Sequence, residues 1–219
     1  GHGTALVIQQ AVKDFNIVPI EDARVAIQGF GNVGLHTARF LDEMGAKIVA
    51  ISDYAGGIYN PNGLPIDLLA DYPSQGRLVQ EFGSADTISN DELMELSCDI
   101  LVPAAVGGVI TEQNADKIKA GSIFEAANGP ITRSGENILE DKGKIIFPDI
   151  LVNAGGVIVS YFEWVQNIQE FTWELEEVND KLKRILINSY QQVCQLAEKE
   201  KVSMRTAAFM VGVERVAEA

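Results

Sequence analysis

Cysteine and histidine are scarce in this sequence of 219 residues, with two of each. Cys98 and Cys194 are too few for a disulfide framework and too far apart for a C-x-x-C metal or redox motif, so both are expected as buried, inert thiols. With His2 at the terminus and His36 beside no recognisable serine or carboxylate motif, neither a zinc site nor a Ser-His-Asp triad finds its ligands. Basic residues are also short, 17 against 31 acidic ones, which leaves a net charge of −14. Such a surface repels a phosphate backbone or an anionic bilayer, and this argues against nucleic-acid and membrane partners. No apolar run approaches the roughly 20 residues that span a bilayer, and no basic segment leads into an apolar one at the start. The chain therefore reads as cytoplasmic. No repeat, low-complexity tract or linker interrupts it, so a single domain over 1–219 is expected.

What is plentiful is apolar character, 47% of positions, in short runs punctuated by glycine. Thr4 to Phe15 place Leu6, Val7, Val12 and Phe15 at near-helical spacing before the Pro19 segment breaks the pattern, which predicts a leading helix within 1–22. The β-branched run Arg24–Gln28 meets GFGNVG, after which Leu35, Ala38, Leu41 and Met44 recur at helical intervals up to Gly45. A second short strand, Lys47–Ser52, follows at once and completes a strand-helix-strand unit whose strands lie parallel and buried. Beyond it, 54–65 is rich in Gly, Asn and Pro and reads as a surface loop, and 66–82 as a polar helical insertion. Ser89 or Asn90 is expected to cap a helix over NDELMEL. The apolar runs CDILVPA, SIFEAAN and KIIFPDI each follow a helix-like segment. This alternation predicts an α/β fold over 23–150, a doubly wound, mostly parallel Rossmann-type sheet with helices on both faces. From 151 to 219 a helical carboxy-terminal extension is expected: Leu175, Val178, Leu182, Ile185, Leu186, Ser189, Val193 and Leu196 step by threes and fours, and a last helix covers 205–217.

The glycine segment carries the clearest chemistry. Gly29-Phe30-Gly31-Asn32-Val33-Gly34 fits G-x-G-x-x-G: Gly29 permits the tight turn, Gly31 lets a pyrophosphate approach the main chain, and Gly34 lets the helix pack close to the strand. The free amides and positive end of that helix face the phosphates. Because the pattern closes a strand and opens a helix, it reads as dinucleotide binding. Asp53 ends the next strand, near the roughly 20-residue offset of an acid that hydrogen-bonds the adenosine ribose, which points to NAD. The alternative is that Asp53 caps the backbone amides of a turn. No arginine follows closely to clamp a 2′-phosphate, yet the choice between NAD and NADP stays open. Val102 to Ala105, Glu125 to Pro130 and Asp149 to Ser160 fall at carboxyl ends of expected strands, where open α/β sheets bind ligands. Asn128 and Asn153 bring amides that both donate and accept, although a single asparagine is more often a turn former; their shared location favours a ligand role. No acid-base pair and no metal-ligand set emerges.

Six blocks, GFGNVG, AISDYAGGIYNPNGL, CDILVPAA, EAANGPIT, FPDILVNAGGVIVSYFEWVQN and MRTAAFMVGVERVA, together and in this order strongly resemble the glutamate/leucine/phenylalanine/valine dehydrogenase family, glutamate dehydrogenases in particular. The resemblance extends over practically the whole chain. It implies a cofactor domain cut from a longer enzyme whose amino-terminal domain, expected to be missing here, carries the catalytic lysine and aspartate. No catalytic residue is then expected in this chain, which would bind NAD or NADP and turn over nothing alone. The resemblance places Phe30, Gly31, Asn32 and Val33 at the pyrophosphate, Asp53 beside the adenosine ribose, and Ala104, Ala105 and Asn128 along the nicotinamide ribose. Asn153 then meets the nicotinamide and the amino-acid end of the substrate, while Val157 and Ser160 line the pocket for its side chain. A hydroxyl at 160 suits a γ-carboxylate, so the implied reaction in the intact enzyme is reversible oxidative deamination of L-glutamate to 2-oxoglutarate and ammonia. Ser160 as a small helix-packing residue is the competing reading. The resemblance also implies a homo-hexamer assembled mainly through the other domain. Rival expectations are a leucine, valine or phenylalanine dehydrogenase, a non-catalytic nucleotide-sensing module, and a methyltransferase using a similar glycine turn.

Overall fold

Seven strands form one sheet in the computed structural model, which describes residues 1–218. They are β1 Arg24–Gln28, β2 Lys47–Asp53, β3 Gly56–Tyr59, β4 Asp86–Ile88, β5 Ile100–Pro103, β6 Ser122–Phe124 and β7 Ile145–Phe147, in the spatial order β4-β3-β2-β1-β5-β6-β7. The five strands β2-β1-β5-β6-β7 run parallel, and β3 and β4 extend one edge, β3 antiparallel to β2 and β4 antiparallel to β3. Alternate residues of the parallel strands enter two separate cores. Val25, Ile27, Ile100 and Val102 pack on one side, and Ala26, Leu101, Ile123 and Ile146 on the other. A strand covered on both faces needs an apolar residue at every position, which is why these runs do not alternate with polar ones. Each Ile, Leu or Val so buried contributes about 1.5–3 kcal/mol relative to exposure.

The helices are α1 His2–Asp14, α2 Asn32–Glu43, α3 Ile66–Leu69, α4 Asn90–Met94, α5 Arg133–Asp141, α6 Asp149–Val152, α7 Ala154–Gln169, α8 Leu175–Glu200 and α9 Met204–Ala217. The first core gathers residues of α1, α2, α8 and α9, and the second residues of α4 and α5. On α8, Leu182, Leu186, Tyr190 and Val193 are buried, whereas Leu175, counted in the expected stripe, is 73% exposed at the first turn. Ser89 caps α4 as expected, accepting the Glu92 N–H while Glu92 returns a carboxylate to the Ser89 N–H. Among the described residues no helix is long and apolar enough to cross a membrane.

Two expectations fail between β2 and α4. The supposed loop at 54–65 contains β3, joined to β2 through Tyr54-Ala55, with Asp53 opposite Gly56 and Ser52 opposite Gly57. Gly56 has φ +145, and a Cβ on Gly57 would lie 2.8 Å from the Ile51 carbonyl oxygen. The glycines let β3 pair closely with β2 and pass under Gln80. The supposed helix at 66–82 stops at Leu69 and resumes only as a 3₁₀ turn over Val79–Glu81. Pro73 removes an amide donor, and Gly76 adopts φ +68, which together break the helix.

Candidate functional site

The sheet reverses its winding beside β1: the chain moves outward from β1 to β2 and β3, then crosses back to β5 on the other flank. Open α/β sheets leave a crevice at the carboxyl ends of the strands on such a reversal. Here it is a groove of about 800 Å³, lined by Gln28 to Val33, Asp53 and Tyr54, the Pro73 and Gly76–Val79 segment, Asn90, and Ala104 to Val106.

The glycine turn forms its floor. Gly29, at φ +99, donates its N–H to the Ser52 carbonyl at 2.9 Å, and a Cβ on it would lie 2.8 Å from that of Ala105. A Cβ on Gly34 would lie 1.8 Å from the Gly29 carbonyl oxygen, so a bare Cα is what lets α2 start against β1. Gly31 differs: nothing lies within 4 Å of where its Cβ would stand, and the space belongs to the groove. Gly31 is the N-cap of α2 and no side chain caps that end. The first amides of the helix, at Asn32, Val33 and Gly34, have no acceptor within it and open toward the groove with the positive end of the helix dipole.

Asp53 stands at the end of β2 and lines the groove. Its Oδ1 accepts the Ala55 N–H and its Oδ2 the Val79 N–H, each at 2.8 Å. The turn-capping role is therefore present. Each oxygen retains a second lone pair, so capping leaves the carboxylate able to accept from a ligand hydroxyl. Two buried acceptors in the groove wall, Gln28 Oε1 and Asn90 Oδ1, have no hydrogen-bond partner in the protein. Buried polar atoms are nearly always paired, so these two fit a polar ligand. Arg77, 24 residues after Asp53, also lines the groove. Its guanidinium lies 3.8 Å from the Tyr72 ring centroid and 3.2 Å from Glu81 Oε2. Only the folded 71–81 segment brings it near Asp53, and no motif announces it.

Asn128, Asn153, Val157 and Ser160 do not line that groove. They follow β6 and β7, on the β5 flank of the sheet. Gly108 donates to the Gly129 carbonyl at 2.8 Å, and Asn153 Nδ2 donates to Asn128 Oδ1 at 2.7 Å. The two asparagines, read separately as turn formers, thus make one pair. Asn153 is also the N-cap of α7. Val157, 70% exposed, and Ser160, also exposed, follow on the same helix. Among the described residues no group of histidine, cysteine and carboxylate side chains could hold a metal ion, and no histidine, lysine or cysteine lines the groove. His36 is exposed on α2. Cys98 is buried, with its thiol pushed up to about 12 chiefly by burial, and half-buried Cys194 is also shifted upward.

A second polar centre, missed in the sequence, lies behind the asparagine pair. Arg205, in the first turn of α9, reaches Glu125 Oε2 and Glu136 Oε1, each at 2.7 Å, and Asp149 Oδ1 at 3.2 Å. Burial raises the Glu125 carboxyl above its ordinary range, against the pull of Arg205. The partners lie 56 to 80 residues from Arg205, so no local pattern signals the cluster.

The sequence profile of glutamate/leucine/phenylalanine/valine dehydrogenases matches residues 1–219. The cryptic catabolic NAD-specific glutamate dehydrogenase GudB of Bacillus subtilis is 50% identical over 218 residues, 99% of this chain and 50% of that protein. The NAD-specific glutamate dehydrogenase of Staphylococcus aureus strain COL is 50% identical over 99% of this chain and 52% of its own length. Among solved structures, the hetero-hexameric glutamate dehydrogenase of Thermus thermophilus superposes with a TM-score of 0.91 at 31% identity, over 99% of this chain and 51% of that one. The chain spans about half the length of the curated relatives it matches. By profile, identity and fold alike, it belongs to the glutamate/leucine/phenylalanine/valine dehydrogenase family.

Proposed function

We propose that the groove binds NAD(H) and that the chain is the cofactor-binding part of a glutamate dehydrogenase, which carries out reversible oxidative deamination of L-glutamate to 2-oxoglutarate and ammonia. The observation that carries this reading is the open space at Gly31 in front of uncapped helix amides. A diphosphate placed there is cradled by main-chain N–H groups from Phe30 to Gly34, with no side chain in its path. Asp53 then accepts from the adenosine ribose, and its charge disfavours a 2′-phosphate. The relatives' description as NAD-specific supports the same preference. Ala104 and Ala105 leave a flat wall toward the nicotinamide ribose, and the Asn128–Asn153 pair orients the reacting ring and the amino-acid end of the substrate. Val157 and Ser160 flank the substrate side chain, Ser160 by donating to a γ-carboxylate.

The dinucleotide, when bound, supplies the hydride chemistry. The chain's own residues bind it, hold it in one orientation and keep the α2 amides on the phosphates. We assign proton transfer to the half of such an enzyme that lies outside this chain, since the chain spans about half the length of its relatives. We expect hexameric assembly of the whole protein, in keeping with the Thermus relative. Calorimetric titration of this chain with NADH and NADPH in turn tests the reading. Tight, saturable binding of NADH over NADPH with no glutamate oxidation is the expected result. Failure of both cofactors to bind at millimolar concentration overturns it, and turnover of glutamate by these residues alone overturns the assignment of proton transfer.

A further inference from the structure

We propose that Arg205 is a positioning residue for the nicotinamide end of the site, acting through Asp149 on the Asn128–Asn153 pair. This rests on the cofactor reading above. Arg205 uses Nε, Nη1 and Nη2 on three different carboxylates, and its side chain is only 16% exposed. Those carboxylates do not end in the cluster. Glu125 Oε2 also accepts the Asp149 N–H at 2.8 Å. Asp149 Oδ2 accepts the Gly129 N–H at 2.7 Å, directly after Asn128, at the point where Gly129 turns the chain with φ +55. The Asp149 carbonyl accepts the Asn153 N–H at 3.0 Å. Asp149 therefore holds the residue after Asn128 by its side chain and Asn153 by its backbone, and Arg205 fixes the Asp149 rotamer by occupying Oδ1.

A mere anchor for α9 has no need of this geometry. With Oδ1 taken by Arg205 and the Ile150 N–H, and Oδ2 by Gly129, Asp149 has one orientation in which all its bonds are met. Releasing Oδ1 lets the carboxylate rotate, and the Asn128 turn follows it. The glycine turn and Asp53 share no bond with this network, so the adenosine end is indifferent to it.

The test is titration of the 219-residue chain with NADH and with ADP-ribose, which lacks the nicotinamide. Asp149→Asn keeps the volume but can accept on one side only, Arg205→Gln removes the charge, and Arg205→Lys keeps it while reaching fewer partners. For Asp149→Asn and Arg205→Gln, NADH affinity is expected to fall about tenfold while ADP-ribose affinity changes less than about twofold, and Arg205→Lys falls between. A purely structural role lowers both affinities together. Parallel loss for both ligands, or no loss in the folded Asp149→Asn chain, overturns the proposal. Failure of the unmodified chain to bind either ligand overturns the cofactor reading instead.

Discussion

Asp53 and Val79 meet across the mouth of the groove, the carboxylate of one accepting the N–H of the other at 2.8 Å. One side chain thus ties the end of β2 to the 3₁₀ turn that closes that side of the groove. Asp53→Ala is expected to cost about 1–2 kcal/mol in folding stability through the two amides it orphans. If the carboxylate also meets the ribose, Asp53→Asn shifts the NADH-to-NADPH affinity ratio toward NADPH. An unchanged ratio in calorimetry would leave Asp53 as a turn cap alone.

Gly31 and Gly34 separate ligand from fold. Gly31 has φ −83 and open space at its Cβ position, so Gly31→Ala is expected to change stability by no more than about 1 kcal/mol while weakening NADH at least tenfold. Gly34→Ala drives a methyl into the Gly29 carbonyl and should lower the thermal midpoint sharply or prevent folding. A Gly31→Ala chain that binds NADH normally would remove the pyrophosphate from the glycine turn.

The carboxylates around Arg205 are unequal. Glu125 Oε1 is buried without a partner, and its Oε2 takes both bonds, so Glu125→Gln keeps the acceptor and loses a buried charge. Its stability is expected within about 1 kcal/mol of the parent, whereas Arg205→Met removes the cation that all three carboxylates share and costs about 3–5 kcal/mol. Urea unfolding of the two variants measures the difference.

Cys98 contributes a pH dependence of definite sign. Burial pushes its folded thiol up to about 12, from an ordinary thiol value of 9.0. The folded chain therefore holds a proton that the unfolded chain releases first. The contribution is whole below about pH 9 and is lost as pH rises toward 12. Alkylation at pH 8 should leave Cys98 unmodified until the chain unfolds, and rapid native-state labelling would contradict this burial.

What the sequence disclosed follows from the range of the interactions involved. The β1 run, the glycine turn and α2 are set by neighbours within one turn or strand, and they stand where the pattern put them. The Gly56-Gly57 pair carries the same letters as a flexible loop, and only its pairing with β2 makes it a strand. Pro73 and Gly76 inside 66–82 were the available signals against a helix there. The asparagine pair joins residues 25 positions apart, and Arg205 joins elements up to 80 apart. Neither leaves a periodicity to read.

Where the first helix passes the seventh, the partners are Gly3 and Gly155, and a Cβ on Gly3 would stand 2.9 Å from the Gly155 Cα. Nothing thicker than hydrogen separates the two axes. A methyl at either place is expected to act as a wedge two residues from Asn153. The start of α7, and Asn153 with it, is thus set against α1 by a spacer too thin to be made of any other amino acid.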